Sequence, residues 1–336
     1  MVKFQHELLQ HQITFSLGES PASQVLSPNG KWLVTGSLRG GMIKIWDVQT
    51  GHMERSWIAI PLSPYPYINE TSLEYGITAL AISPDGKTLV TGGKALKTWE
   101  FETGKQIRVF KGFGSGVSYI TISANGEILL TDGSAGSLAG AMNIWDLRSG
   151  KKIRRTLSDG GWVISPDSTA IIGFRMGENE EPPNLVKVWD LITGEKLRVL
   201  ENSDAITPTH FTFSPDGRLV AGAGVDGIKI WNFETGEQVQ RITKHKNVRF
   251  HEHLDHVMRC VFSPDGKALL SSGADGSIQI WTIETSQNIG TLRAENRIGW
   301  FATSDDGQVI VGISVIDQHN RVVDDRVVEV WKIPSQ

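Results

Sequence analysis

The chain has 336 residues, a net charge of −4, 39% apolar and 21% charged residues, and a single cysteine. That charge leaves no basic footprint for nucleic acid. The apolar runs are strand-sized and too short to span a membrane, and Cys260 alone excludes an intrachain disulfide framework and suits a reducing cytosol. Residues 1–7 lack the apolar core of a signal peptide, so a cytoplasmic protein is expected.

In chain order, Leu8 to Leu17 reads as a strand with no sheet of its own. One pattern then runs the length of the chain. A turn of the Ser-Pro-Asp-Gly type is followed 16 to 27 residues later by a Trp that closes an alternating apolar run. The turns start at Ser27, Ser83, Ser123, Ser165, Ser214, Ser263 and Ser304, and the tryptophans are Trp46, Trp99, Trp145, Trp189, Trp231, Trp281 and Trp331. Successive tryptophans lie 42 to 53 positions apart. A period in this range marks a repeat whose single copy cannot bury its own apolar face.

Residues 257–292 show what one repeat builds. Val257 to Phe262 alternates as a strand, Ser263 to Gly266 turns, and Ala268 to Ser272 is a second strand. Asp275 and Gly276 make a tight hairpin, Ser277 to Trp281 is a third strand, Thr285 and Ser286 turn, and Asn288 to Leu292 is a fourth. Period-2 alternation with turn residues every 8 to 12 positions is the all-β signal. Seven such units predict one all-β, seven-bladed propeller over residues 1–336, with blades at 22–58, 77–110, 117–157, 160–200, 208–242, 257–292 and 298–333. The last repeat stops after its third strand, so residues 8–17 are expected to supply its outer strand and remove an open edge. Trp46, Trp145, Trp189, Trp231 and Trp281 are expected in the core. So is Cys260, as a small buried hydrophobe.

Trp46-Asp47, Trp145-Asp146 and Trp189-Asp190 match the WD dipeptide, and Trp99-Glu100, Trp231-Asn232, Trp281-Thr282 and Trp331-Lys332 match it loosely. The chain resembles the WD-repeat (WD40) family over essentially its whole length. Its regular turns resemble those of bacterial members. The resemblance implies a hydrogen-bonded set of His, Ser or Thr, Asp and Trp within a blade. Only the sixth repeat shows the set well, as His253, Ser271 (or Ser272), Asp275 and Trp281. It also implies a non-catalytic scaffold that binds other proteins.

Strand direction divides the turns between two faces. The first-to-second and third-to-fourth turns are nearly constant, while the remaining connections vary. Between a Trp and the next turn Ser, 37 and 32 residues precede blades 2 and 6, against 20 to 25 elsewhere. Between a turn Ser and its Trp, 22, 24 and 27 residues occur in blades 3, 4 and 7, against 16 to 19 elsewhere. Five enlarged loops on one face point to a binding face on a rigid scaffold. The loop from Ile58 to Tyr75 carries Pro61, Pro64 and Pro66 with Tyr65, Tyr67 and Tyr75, three of the four tyrosines in the chain. Rigid backbone with tyrosine is either a contact hot spot or an Ω-loop packed on its own aromatics. Glu180, Glu181, Asp324 and Asp325 make two acidic loops, either solvated or a dock for a basic partner. Lys244 to His256 holds Arg249 and four of the nine histidines, His245, His251, His253 and His256. Without a neighbouring cysteine this set reads as a solvated or pH-sensitive contact surface rather than a zinc site.

No catalytic constellation, phosphate-binding Gly motif, cofactor motif or metal set stands out. Thr91 to Gly93 and Asp132 to Gly136 are Gly-rich, but they fall in hairpins with no helix N-terminus to hold an anion. The expectation is a monomeric protein-binding platform without catalysis. The alternative is a ligand or metal sensor, or an enzyme, with its site at the channel mouth.

Overall fold

The structure, a computed structural model, describes residues 9–60, 76–111, 116–133, 141–157, 160–174, 185–201, 210–224, 227–242, 257–273, 276–294, 297–316 and 326–332. Among them the chain is all-β, with seven four-stranded antiparallel sheets forming the blades of a β-propeller. Two compact units contain these sheets, residues 18–158 and residues 1–17 with 159–336.

Strand β1 (Gln10–Ser16) opens the chain. The unit 18–158 then holds blade 1, β2 (Pro21–Leu26), β3 (Trp32–Ser37), β4 (Met42–Asp47) and β5 (Met53–Ile58). Blade 2 is β6 (Ile77–Ile82), β7 (Thr88–Gly93), β8 (Lys97–Glu100) and β9 (Gln106–Val109), and blade 3 is β10 (Ile120–Ile122), β11 (Ile128–Gly133), β12 (Ala141–Asp146) and β13 (Lys152–Leu157).

The other unit holds blade 4, β14 (Gly160–Ile164), β15 (Ala170–Phe174), β16 (Val186–Asp190) and β17 (Lys196–Val199). Blade 5 is β18 (His210–Phe213), β19 (Leu219–Gly224), β20 (Gly227–Asn232) and β21 (Gln238–Ile242). Blade 6 is β22 (Val257–Phe262), β23 (Ala268–Gly273), β24 (Ile278–Thr282) and β25 (Asn288–Leu292). Blade 7 is β26 (Arg297–Thr303), β27 (Val309–Ile316), β28 (Val327–Lys332) and then β1, which supplies the outer strand as the sequence predicts. The β1–β28 register pairs Phe15 with Val328 and Thr14 with Glu329. Buried Glu329 accepts from His11 Nε2 at 2.8 Å, which ties the two strands by side chains as well as backbone.

Each first turn is built the same way. The Ser hydroxyl donates to the Asp or Asn two positions on, and it accepts the backbone N–H five positions on. In blade 2 these are Ser83 Oγ to Asp85 Oδ1 at 2.5 Å and Thr88 N to Ser83 Oγ at 2.9 Å. Asn29 and Asn125 replace Asp in blades 1 and 3 with the same geometry. The fourth turn residue has positive φ, which Gly adopts without strain. Ser168 takes that position in blade 4 at φ 61°, and Ser286 takes the third-turn position in blade 6 at φ 55°.

One side of each sheet carries the Trp and the other carries flanking aliphatics, and successive blades within a unit join these sides. Val34, Ile43 and Ile45 of blade 1 pack on Leu89 and Trp99 of blade 2, and Ala223, Ile228 and Ile230 of blade 5 pack on Cys260, Leu269 and Trp281 of blade 6. Burial pushes the Cys260 thiol up to about 12, so it is a protonated core group at neutral pH.

A side chain nine residues after the Trp reinforces the joints. Arg55 Nη2 donates to Phe101 O at 2.7 Å, Arg108 Nη2 to Arg148 O at 3.0 Å, Arg198 Nη1 to Phe233 O at 2.7 Å, and Gln240 Nε2 to Glu284 O at 3.3 Å. The Arg55 and Arg198 guanidinium groups also lie 5.6 and 5.5 Å from the Phe101 and Phe233 ring centres.

The tryptophans are core residues with one departure, because Trp189 is only partly buried. Its strand partner Ile171 is followed by Ile172 and Gly173. A β-carbon on Gly173 would lie 2.5 Å from Trp162, whose ring meets Trp189 at a tilt of 46° with 5.3 Å between centres. The Trp to Ser or Thr link of the expected set recurs in four blades. The Trp indole donates to the residue eight positions after the turn Ser in blades 1, 2, 3 and 6, as Trp46–Thr35, Trp99–Thr91, Trp145–Thr131 and Trp281–Ser271, at 3.0, 3.0, 3.1 and 2.8 Å. Ser271 therefore fills the role, not Ser272. His253 and Asp275 lie outside the described residues. Blades 4, 5 and 7 have Gly173, Gly222 and Gly312 at that position, and Trp231 donates to Glu201 O at 2.7 Å instead.

Candidate partner-binding face

Within each antiparallel sheet the Ser turns and the third-to-fourth turns share one end, here the turn end. The second-to-third connections and the links between blades share the other, the loop end. The enlarged connections of unit 18–158, and those of the other unit, all leave from loop ends. Tyr65, Tyr67, Tyr75, Glu180, Glu181, Arg249, His251, Asp324 and Asp325 lie outside the described residues. What the structure shows is how their loops are rooted.

The Tyr loop starts from a fixed point. Ala59 N donates to Gly41 O at 2.8 Å, and Lys97 Nζ reaches Ala59 O at 2.6 Å. Burial holds the Lys97 ammonium below the usual lysine pKa. The loop ends at Gly76, where a β-carbon would stand 2.5 Å from Leu38 O, so only Gly fits that root.

The loop end also presents residues that sequence reasoning missed. In blade 3, Asp132 accepts the backbone N–H groups of Ser118 and Tyr119 at 2.8 and 2.7 Å, as well as the Ser118 hydroxyl. This brace fixes Tyr119, the fourth tyrosine, with 40% of its surface exposed. Tyr119 sits four residues before its turn Ser. The same offset on the inner strands holds Ser23, Ala79, His210, Arg259 and Trp300. A break of register directly precedes Ser23, Ala79, Arg259 and Trp300, and such bulges re-aim a side chain. An Arg or His at a fixed offset inside an otherwise apolar run is the sequence signal that would have found them.

The turn end offers a contrast. A cleft of ≈ 570 Å³ opens there between blades 2 and 3, with Asp85, Arg108, Asn125, Glu127 and Arg148 among its walls. Several of its polar groups are engaged: Asp85 with Ser83, Asn125 with Ser123 and Glu127, and Arg108 with Arg148 O. At the loop end, His210 Nδ1 and Ser272 Oγ are buried with no hydrogen-bond partner among the described residues. Among the described residues no three His, Cys, Asp or Glu side chains gather as a metal site would need, and no helix is long and apolar enough to cross a membrane.

Comparison with known proteins agrees with this architecture. The WD40 family, described as "WD domain, G-beta repeat", matches residues 11–47, 70–96 and 243–282. Periodic tryptophan protein 2 homolog of Dictyostelium discoideum is 25% identical over 289 residues, 82% of this chain and 28% of that protein. Target of rapamycin complex subunit wat1 of Schizosaccharomyces pombe is 27% identical over 217 residues, 62% of this chain and 65% of that protein. Protein LST8 homolog of Drosophila melanogaster is 25% identical over 270 residues, 77% of this chain and 78% of that protein. The chain thus spans about a quarter of the first relative and just under two thirds of the second. The bacterial character expected from the turns is not borne out, since these relatives are from an amoeba, a yeast and an insect.

Proposed function

We propose that the chain, which matches the WD40 family over residues 11–47, 70–96 and 243–282 and folds as a seven-bladed β-propeller, is a non-catalytic interaction scaffold that binds other proteins at the loop ends of its blades. The observation that carries this reading is the asymmetry of the sheets. The turn ends repeat one hydrogen-bonded design with its polar groups satisfied, while the loop ends carry all five length changes and an exposed, braced Tyr119. Candidate contacts are Tyr65, Tyr67, Tyr75, Glu180, Glu181, Arg249, His251, Asp324 and Asp325. The name of wat1 as a complex subunit supports membership of a larger assembly.

The test begins with affinity capture on the immobilised chain from its native source, with partners identified by mass spectrometry. Titration of the captured partner against variants follows. Tyr65→Ala with Tyr67→Ala should weaken binding at least about tenfold, or roughly 1.4 kcal/mol. Charge reversal at Asp85 and Asp265, on the turn ends, should leave it unchanged. The opposite pattern would place recognition at the turn ends.

A further inference from the structure

Around the inner strands of the unit holding blades 4 to 7, three consecutive blades place His210, Arg259 and Trp300 at one offset, four residues before the turn Ser. The Arg259 guanidinium lies over the Trp300 ring, 5.6 Å from its centre. Ser272 stands opposite Arg259 in the β22–β23 pairing, so both side chains leave the same side of that sheet. Strand β18, which carries His210, packs against β22. Ser272 is wholly buried and its hydroxyl has no partner among the described residues, and neither has His210 Nδ1. Buried polar atoms are nearly always hydrogen-bonded, so these two unmet ones, on neighbouring blades, call for a partner.

We infer that Arg259, Ser272 and His210 form an oxyanion-binding site on the inner wall of blades 5 and 6, taking a carboxylate or phosphate group. Arginine carries donors only, in a planar fork that matches such groups. Its charge excludes a metal cation or an ammonium group. The Ser272 hydroxyl and an Nδ1–H on His210 add two donors, and the Trp300 face fixes the plane of the guanidinium. Burial, first, and the Arg259 charge, second, hold His210 well below its ordinary pKa, so near neutral pH it enters as an uncharged imidazole. Partial exposure of His210, Arg259 and Trp300 leaves the site open to a ligand. The inference does not depend on the scaffold reading, since a free anion would be held by the same donors.

The test uses the full chain and two probes, inorganic phosphate and a tetraglutamate peptide, each titrated by calorimetry at low ionic strength. Both should bind, and Arg259→Gln should weaken binding at least about tenfold, the loss of a charge-assisted bidentate contact. Ser272→Ala and Arg259→Lys should each weaken it about threefold, since Lys keeps the charge but not the fork. Lys87→Gln, at an exposed turn-end residue, should stay within about twofold, because it removes only long-range attraction. Tighter binding of the peptide assigns the site to an acidic side chain of a partner, and tighter binding of phosphate assigns it to a free anion. If neither probe binds, or if both bind equally to wild type and Arg259→Gln, the inference is wrong. Should Arg259→Gln melt below the temperature of the titration, Arg259→Lys and Ser272→Ala decide the matter.

Discussion

The two ends of each blade obey different rules. At the turn end each group has an assigned task. A hydroxyl bridges a side chain and a backbone N–H, the Asp or Asn oxygen accepts, and a left-handed residue lets two strands meet in four positions. A change of length there would break several bonds together. At the loop end the roots of the connections are fixed, as at Gly76 and Asp132, but their lengths differ from blade to blade. Blade 1 crosses that end in a short turn in which Ser37 Oγ donates to Arg39 O at 2.6 Å, whereas the link to blade 2 runs through more than a dozen further residues. Stability chemistry gathers at one end and variation at the other, so a single substitution can address one without the other.

The largest test of that division removes residues 1–17. It takes the outer strand from blade 7, leaves the β28 edge unpaired and removes the His11–Glu329 contact. The truncated chain should associate in size-exclusion chromatography and melt at a clearly lower temperature, because the exposed β28 edge invites pairing with another chain. A monomer with an unchanged melting temperature would break the claim that the sheets carry stability. Next, Trp231→Ala should cost about 3–5 kcal/mol in urea denaturation, since Trp231 is 0% exposed. Trp189→Ala should cost clearly less, because Trp189 is already partly in solvent. Equal losses would mean that burial does not set the scale.

Smaller effects refine the picture of the turn end. Gly217 has φ +71° and only ordinary contacts for an added β-carbon, the nearest being Pro166 at 3.8 Å. Gly217→Ala should therefore cost about 1 kcal/mol through backbone conformation alone, read as a shift in denaturation midpoint. The smallest effect is acid sensitivity. The Ser83 and Ser214 hydroxyls hold the Asp85 and Asp216 carboxyls below their ordinary value of 3.8. A carboxyl depressed in the folded state stabilises at pH above its unfolded value, and that contribution is lost as pH falls through the folded one. Asn29 and Asn125 make the same turns with nothing to titrate. Asp85→Asn should thus narrow the stability difference between pH 7 and pH 3 by no more than about 0.5 kcal/mol, these groups being exposed and screened. A wider difference in the variant would contradict the sign.

Much of this fold was legible because its signals are local and repeated. A Ser turn and a Trp strand at a fixed period specify a blade wherever they occur, and the unpaired segment 8–17 can be matched to the one blade lacking a strand. The position eight residues after each turn Ser was equally readable, as Thr, Thr, Thr, Gly, Gly, Ser and Gly, but its meaning needs the indole placed beside it. Trp189 is only partly buried although it closes the same alternating run as the others, and spacing alone does not reveal that difference. The candidate site was less legible still. Tyr119 looks like one residue in a Gly- and Ser-rich link until Asp132 is seen to brace it, and Arg259 reads as an interruption of an apolar strand until a bulge and the Trp300 ring give it a place.

Pairing β1 with β28 also sets a timetable. The bond from Thr14 Oγ1 to Glu329 joins residues 315 positions apart. At roughly 5–20 residues per second of synthesis, β1 waits about 15–60 s on the ribosome before its partner exists. Throughout that interval its backbone groups are unpaired and its Ile13 and Phe15 lack their sheet. Contacts so distant in sequence are also slow to form after release. Chaperone demand should therefore fall on the nascent and newly released chain rather than on the finished protein, and a stalled message would yield every blade but one.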